Sequence, residues 1–340
     1  IAAYFTKDGD SLNQKAVNLH MLEDVLGWAV VLVGAIIMNF TDIKIVDGAI
    51  IESSHNPYEN NLDNVSNLAL LSIDDISFVV GRVINTKEWP VENFEKIVLR
   101  DLALMQSYNI DFIHCKDKNY PVMLSQVYDF PYALFTRGNN SILNTPSVAI
   151  VGTRNPSMSG MKAAFEFSKD LVASGYTVVS GLAMGIDTAA HKGTISYGKT
   201  VAVLACGLDN IYPTVNKNLA VQIIQNGGCL VSEYSPGEIP LKWRFPARNR
   251  IISGLSEAVV VMESPAKSGA LITADFAIEQ NRELFFHQSA LDAQERYKII
   301  AKQKGISEKM QKQRCVQKYI DEGASCISSV KDLMTSLFIK

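Results

Sequence analysis

The stretch from Ser147 to Ser157, SVAIVGTRNPS, combines features that could bind a phosphate. Its first five residues are an apolar, largely β-branched run typical of a buried parallel strand, and an amphipathic helical pattern begins near Ser159. Free backbone N–H groups and the positive end of a helix dipole attract anions at such a turn, and an arginine fork suits a phosphate. An ordinary βα turn is the equal alternative. The turn residues are Gly152, Thr153 and Arg154.

A second stretch with chemical potential runs from Lys242 to Arg250 and reads KWRFPARNR. Four cations, two aromatic residues and one asparagine lie within nine residues of a chain whose net charge is −3. Basic side chains hold phosphates and aromatic faces stack on bases, which is the usual way to bind single-stranded nucleic acid. The alternative is a solvated basic helix start with a core tryptophan.

The elements that would position these residues alternate between strands and helices. This alternation predicts an α/β fold over residues 146–340, with a doubly wound, mostly parallel sheet. Helices are expected between the strands and near residues 330–337, and the polar stretch 288–317 is expected to be a solvated insertion. The predicted strands are Ser147–Val151, Tyr176–Val179, Thr200–Ala205, Cys229–Ser232, Ala258–Met262 and Leu284–His287.

Three polar, glycine-containing turns follow predicted strands. Ligands of such sheets bind outside the carboxyl ends of the strands, so three turns at this edge favour an anionic ligand. Because the chain has neither a GxGxxG fingerprint nor a Walker loop, NAD and ATP are disfavoured and no cofactor is expected. The turns contain Gly152–Arg154, Ser180 with Gly181, and Lys267, Ser268 and Gly269.

Catalytic residues are not evident in the sequence. Asp187 and His191 are four residues apart and could form an acid–base pair, but an acidic residue at a helix start is the simpler interpretation. We find no nucleophile–base pair and no cluster with metal-ligand spacing, so we expect a binding protein rather than an enzyme.

The composition limits the function classes. With 340 residues, of which 47% are hydrophobic, the chain can form about two domains with a real core. A net charge of −3 provides no global basic field, so binding of nucleic acid would require a local patch of basic residues. The five cysteines form no CxxC pair, which favours a reducing cytoplasmic location.

The first 64 residues differ from the rest of the chain. Val25–Phe40 is a nearly unbroken apolar run of 16 residues, just below the length of a membrane span. Ser11–Asp47 resembles one transmembrane helix of the cation diffusion facilitator transporters, whose zinc-binding HxxxD pair is matched by His20 and Asp24. These two side chains do not complete a tetrahedral zinc shell. We therefore expect an atypical segment here; membrane contact by residues 25–40, or a transporter fragment, is the alternative for this part only.

Residues 65–145 are predicted to form a small helical region followed by the first strands of the sheet. The helical patterns cover Leu68–Val83 and Val91–Tyr108, and the strand candidates are Ile110–His114 and Pro131–Thr136. A polar linker around residues 56–67 would separate this region from the apolar segment.

Five long motifs occur in the order Tyr120–Asn139, Val148–Ser157, Val178–Gly193, Phe245–Ser256 and Ser268–Phe285. Together they resemble the DNA-processing protein A family, also called DprA or Smf. The resemblance runs from about Leu70 to the end. It implies an extended Rossmann-like fold that binds single-stranded DNA, forms a homodimer and loads the RecA recombinase onto incoming strands in natural transformation. A complete SAM-like helical domain and a winged-helix domain are not evident.

The resemblance also implies which residues contact DNA. Lys242 would meet the phosphate backbone, Phe245 would line the pocket or stack on a base, and Asn249 would hydrogen-bond locally or read a base edge. The remaining implied DNA or phosphate contacts are Gly152, Thr153, Arg154, Ser180, Gly181, Arg248, Arg250, Lys267, Ser268 and Gly269.

A nucleotide hydrolase is the enzymatic alternative. The LOG-type phosphoribohydrolases have a related Rossmann-like fold and carry a PGGxGTxxE loop with a catalytic glutamate. The corresponding turn here reads SPAKSGALITA and has no glutamate at that place. The sequence therefore favours the DNA-binding interpretation.

Overall fold

The computed structural model describes residues 91–266, 268–303 and 315–338. The His20–Asp24 pair, the apolar run 25–40, the helix predicted over Leu68–Val83 and Lys267 lie outside the described residues. Among the helices that are described, none combines the length and apolar character needed to cross a membrane. The chain divides into two units, residues 1–103 and 104–340, and the sheet and the candidate site lie entirely in the second.

The described strands have three to six residues each, and the described helices have four to eighteen. The strands are β1 Asp111–His114, β2 Ala133–Gly138, β3 Ser147–Val151, β4 Thr177–Ser180, β5 Thr200–Val203, β6 Cys229–Ser232, β7 Ala258–Val261, β8 Glu283–His287 and β9 Ser325–Ile327. The helices are α1 Val91–Tyr108, α2 Val122–Ser125, α3 Met158–Ala173, α4 Ile186–Thr194, α5 Lys217–Gln225, α6 Arg244–Gly254, α7 Gly269–Glu279, α8 Gln288–Asp292, α9 Gln294–Gln303, α10 Val316–Asp321 and α11 Val330–Phe338.

The strands form one sheet of nine in the order β1-β2-β6-β5-β4-β3-β7-β8-β9 across the described residues. Strands β3 to β9 pair in parallel, while β2 pairs antiparallel with both β1 and β6. The predicted Rossmann-like, mostly parallel sheet is therefore confirmed. The division at residues 64 and 145 stays a prediction, although β1 and β2 extend the same sheet.

The central strands are buried on both faces, which explains their continuous apolar sequences. Alternate residues of β3 pack on opposite sides of the sheet. Val148 and Ile150 join a cluster with Phe167 and Leu171 of α3. Ala149 and Val151 join another cluster that includes residues of α6 and α7. Two helical layers thus fix the sheet and the turns at its edge.

The order in which successive strands are added to the sheet reverses between β3 and β7. Strands β4, β5 and β6 extend the sheet to one side of β3, and β7, β8 and β9 extend it to the other. The carboxyl ends of β3 and β7 therefore flank the topological switch point, where open α/β sheets commonly bind ligands.

The stretch 288–317 is partly packed against the sheet in its described part, and its status as an insertion stays a prediction. It contains α8, α9 and the start of α10. Ala290, Ala293 and Val316 are buried. These small or isolated apolar residues are too few to produce a helical hydrophobic pattern, and the polar residues between them conceal the packing face.

Candidate functional site

A pocket lies at the carboxyl ends of β3, β4 and β5 and unites four separate stretches of the chain. It encloses about 310 Å³ of empty space, including the part open to solvent. The lining residues are Arg154, Gly181, Ala183, Met184, Tyr212, Pro213, Phe245 and Arg248. Four of them, Arg154, Gly181, Phe245 and Arg248, are among the DNA contacts expected from the sequence.

Arg154 and Phe245 meet at the rim of this pocket. The guanidinium carbon of Arg154 lies 5.6 Å from the centroid of the Phe245 ring, within cation–π range. Arg154 is exposed and has no carboxylate partner among the described residues. Lys242 is also exposed, three residues before Phe245, although it does not line the pocket. Both cations are thus accessible to a ligand with negative charge.

Arg248 forms the floor of the pocket and is only 4% exposed. Its Nη1 donates to the carbonyl of Gly181 at 2.9 Å and to the carbonyl of Val203. Burial lowers the pKa of this guanidinium, and the nearby Asp187 carboxylate opposes the shift. A Cβ at Gly181 would lie 2.7 Å from Nη2, so this close approach requires glycine.

The turn after β4 has its own carboxylate bound to its backbone. The N–H groups of Gly181 and Ala183 donate to Asp187 Oδ2 at 3.1 and 3.3 Å. Leu182 between them has a left-handed backbone, with φ of 57°. Burial raises the pKa of Asp187, while Arg248 and the two N–H donors oppose that change. The N–H groups of Gly181 and Ala183 therefore bind a carboxylate of the protein itself and are not a free anion site.

The hydrogen bonds of this turn change the expectation for Ser180 and agree with the simpler interpretation of Asp187. Ser180 is fully buried and its hydroxyl donates to the Ile150 carbonyl at 2.7 Å, so it does not face a ligand. Asp187 is in the first turn of α4, and His191 is bonded through Nδ1 to Thr200 Oγ1 at 2.8 Å. The acidic helix start, not an acid–base pair, accounts for Asp187.

The segment after β3 also binds a carboxylate of the protein itself, that of Glu263. Glu263 follows β7 and is fully buried. Ser157 donates to this carboxylate from its N–H at 3.1 Å and from its hydroxyl at 2.8 Å. Arg296 Nη1 and the Tyr297 hydroxyl donate to Glu263 Oε1 at 2.9 and 2.7 Å. Glu263 thus occupies the switch-point crevice between β3 and β7.

The N–H groups of Thr153 and Ser157 are therefore not free to bind a phosphate, and phosphate binding by residues 152–154 stays a prediction. The N–H of Thr153 donates to the Glu263 carbonyl at 2.7 Å. The Ser157 hydroxyl accepts from Gly160 N at 3.0 Å and caps α3. Gly152 is required by packing, because a Cβ there would lie 2.5 Å from Ile186 Cγ1. Among the turn residues 152–154, Arg154 alone offers an exposed cation.

The turn before α7 lies outside the pocket lining. Ser268 and Ser264 are joined through their hydroxyl oxygens. Gly269 is exposed, and its carbonyl accepts from Asn249 Nδ2 at 3.2 Å. Asn249 therefore makes the local hydrogen bond, which was one of its two expected roles.

Arg250 does not offer the free cation expected from the sequence. Its guanidinium is 3% exposed and forms two bonds to the Glu233 carboxylate at 2.8 and 2.6 Å. Its Nε also donates to the Asp129 carbonyl at 3.0 Å. Arg244 is engaged similarly, with Glu238 at 2.7 Å. A bidentate, buried ion pair explains why the Arg250 charge is not available to a ligand.

Sequence reasoning missed Met184 and Tyr212, which supply exposed apolar surface to the pocket. Tyr212 is 44% exposed and Met184 is 47% exposed. The Tyr212 ring centroid lies 5.5 Å from that of Phe245, at an interplanar angle of 60°. The available signal was positional, because Tyr212 is in the loop after β5 and that loop ends at the same sheet edge.

The model of the family described as DNA recombination-mediator protein A matches residues 111–338. Over 197 residues, the chain is 42% identical to the DNA processing protein DprA of Bacillus subtilis (strain 168), covering 57% of this chain and 66% of that protein. The chain spans 49% to 66% of the length of the first three curated relatives it matches.

Two solved structures resemble the fold. DNA processing protein A from Streptococcus pneumoniae aligns with a TM-score of 0.60 and 35% identity, covering 81% of this chain and 90% of the other. DNA processing protein A from Helicobacter pylori aligns with a TM-score of 0.51 and 30% identity, covering 59% and 90%. The latter structure was described for its single-stranded DNA binding mode.

Proposed function

This chain belongs to the DNA recombination-mediator protein A family, and we propose that it binds single-stranded DNA through the pocket around Arg154, Phe245 and Arg248. In this proposal it protects incoming strands during DNA uptake and loads the RecA recombinase onto them. It acts in the cytoplasm, as a homodimer and without a catalytic step. The recombinase and the dimer follow from the family resemblance of the motifs, and the location follows from the cysteine usage.

The observation that carries the proposal is the position of Arg154 over the Phe245 ring, in a pocket that the buried Arg248 also lines. A single strand presents phosphates and unpaired bases together, and it needs cations and aromatic faces at one site. The pocket offers both within one side-chain length. A duplex presents its phosphates but keeps its base faces stacked, so it can use only half of this arrangement.

Side chains, rather than backbone N–H groups, carry the phosphate contacts in this proposal. The turns after β3 and β4 bind Glu263 and Asp187, so a phosphate placed on either turn would meet a carboxylate. Arg154, which contacts the Phe245 ring, and Lys242, three residues before Phe245, are exposed cations. Gly152 and Thr153 support the turn that carries Arg154, and we propose Lys267, Ser268 and Gly269 as more distant contacts of the strand.

The test is direct binding by the full chain. Fluorescence anisotropy with a labelled oligothymidine and with a duplex of equal length should show tighter, salt-sensitive binding of the single strand. Equal affinity for the two, or no binding of the oligothymidine, would overturn the DNA proposal. RecA filament formation on single strands, measured with and without the chain, tests the recombinase partner separately, and an unchanged rate would remove that part.

A further inference from the structure

We propose that Tyr212 and Met184, together with Phe245, form a slot for one unpaired base and thereby select single strands over duplex DNA. The proposal rests on the single-stranded DNA binding proposed above and assigns residues that the family motifs do not include. Arg154 at the rim holds the adjoining phosphate, and the slot holds the base attached to it.

The surface chemistry of the pocket wall supports this assignment. Tyr212 and Met184 are large apolar side chains that are nearly half exposed, and both line the same small pocket. Tyr212 already contacts Phe245 with the tilted ring geometry common among aromatic pairs. Scattered exposed apolar residues are ordinary on protein surfaces, but three that converge beside two arginines form a site for a flat, apolar-faced ligand with a nearby negative charge.

The two walls of the slot are tied together by one buried residue, Asn216, which is 5% exposed. Its backbone N–H donates to the Pro213 carbonyl at 2.9 Å, in the loop that carries Tyr212. Its Nδ2 donates to the carbonyls of Leu182 and Ala183 at 2.8 and 3.3 Å, in the turn that carries Met184. Asn216 therefore fixes the spacing of the two walls, and Asn216 is a positioning residue in this account.

The floor of the slot suits the edge of a base. Arg248 Nη1 is bound to the carbonyls of Gly181 and Val203, whereas Nη2 has no hydrogen-bond partner among the described residues. Every base carries ring or carbonyl acceptors on its edge, so this contact would not depend strongly on sequence. Stacking on aromatic faces is also tolerant of sequence, because every base has a π face.

The experiment compares variants of the full chain on two ligands, an oligothymidine and an abasic strand of equal length. Tyr212→Ala should weaken oligothymidine binding by about tenfold, the size expected for loss of one base stack. The same variant should leave binding of the abasic strand unchanged, and Tyr212→Phe should bind as wild type. Tyr128→Ala is the matched control, because Tyr128 is 98% exposed and does not line the pocket.

A spectroscopic readout separates stacking from a merely structural effect. A strand that contains 2-aminopurine should lose fluorescence on binding to wild type and to Tyr212→Phe, but much less on binding to Tyr212→Ala. Unchanged oligothymidine affinity in Tyr212→Ala, or an equal loss of affinity on the abasic strand, would overturn the base slot. If Arg154→Ala still weakens binding in that case, the proposed function stands without the slot; absence of single-strand binding by wild type would overturn both.

Discussion

The Ser157 hydroxyl donates a 2.8 Å hydrogen bond to the buried carboxylate of Glu263, which joins the start of α3 to the end of β7. This carboxylate sits at the switch point of the sheet, where a Rossmann enzyme would hold the phosphates of its coenzyme. In this protein the buried Glu263 carboxylate occupies that position instead of a ligand phosphate. The candidate ligand pocket lies beside it instead, over the ends of β3, β4 and β5.

Replacement of Glu263 should destabilise the fold. Glu263→Ala removes the acceptor of Ser157, Arg296 and Tyr297, and leaves their donors partly buried without a partner. We expect the free energy of unfolding to fall by about 2–4 kcal/mol, measured by urea denaturation. The control is Glu166→Ala, which removes an exposed carboxylate and should cost less than about 1 kcal/mol. Equal losses in the two variants would contradict the assigned role of Glu263.

Arg250 should contribute to stability and not to DNA affinity. Arg250→Met leaves Glu233 buried without its bidentate partner and should lower the free energy of unfolding by about 3–5 kcal/mol. The double variant Arg250→Met, Glu233→Gln removes both charges and should recover much of that loss. Oligothymidine affinity, corrected for the folded fraction, should match wild type. A large affinity loss in the stable double variant would show instead that Arg250 meets the strand.

Acid should weaken the fold through His191. This ring is fully buried, and its Nε2 has no hydrogen-bond partner within the described ranges. Burial, followed by the charge of Arg248, lowers the pKa of His191 to about 3 from its usual 6.5. Below pH 6.5 His191 binds a proton in the unfolded chain but stays neutral in the folded chain. The contribution of His191 to stability is therefore highest above that pH and falls on acidification towards pH 3.

The expected slope is about 1.4 kcal/mol per pH unit between about pH 6 and pH 4. Urea denaturation across this range should give a smaller slope for His191→Asn, which cannot take up the proton. Parallel pH dependences for wild type and His191→Asn would mean that other groups cause the loss.

The fold was predictable from the sequence because its central elements have simple patterns. The buried strands β3 and β6 are short apolar runs between turn residues, and the structure starts and ends them at the predicted residues. Strand β9 has only three residues, Ser325–Ile327, two of them exposed, so it gave no strand pattern. Helices α8 and α9 are anchored by contacts with residues distant in the sequence, such as those of Arg296 and Tyr297 with Glu263, which no local pattern reveals.

The site was less predictable, because residue type indicates charge but not the partner that neutralises it. Arg248 and Arg250 look alike in the sequence, yet one lines the pocket and the other is paired with Glu233, which lies 17 positions earlier. The N–H groups of two glycine turns looked free because Glu263 and Asp187 reach them only in the folded chain. Tyr212 lies outside the sequence motifs, and only the folded structure shows that its ring is next to Phe245.

The central claim is that Arg154 and Lys242 hold the phosphates of a single strand, and the salt dependence of binding tests it most directly. The slope of log affinity against log salt concentration should be about 1.4 smaller in magnitude for Arg154→Ala, Lys242→Ala, since each lost phosphate contact on a single strand accounts for about 0.7. The control Lys169→Ala, Lys199→Ala changes the net charge equally at exposed positions outside the pocket and should keep the wild-type slope. A wild-type slope and affinity in the Arg154→Ala, Lys242→Ala variant would contradict the account.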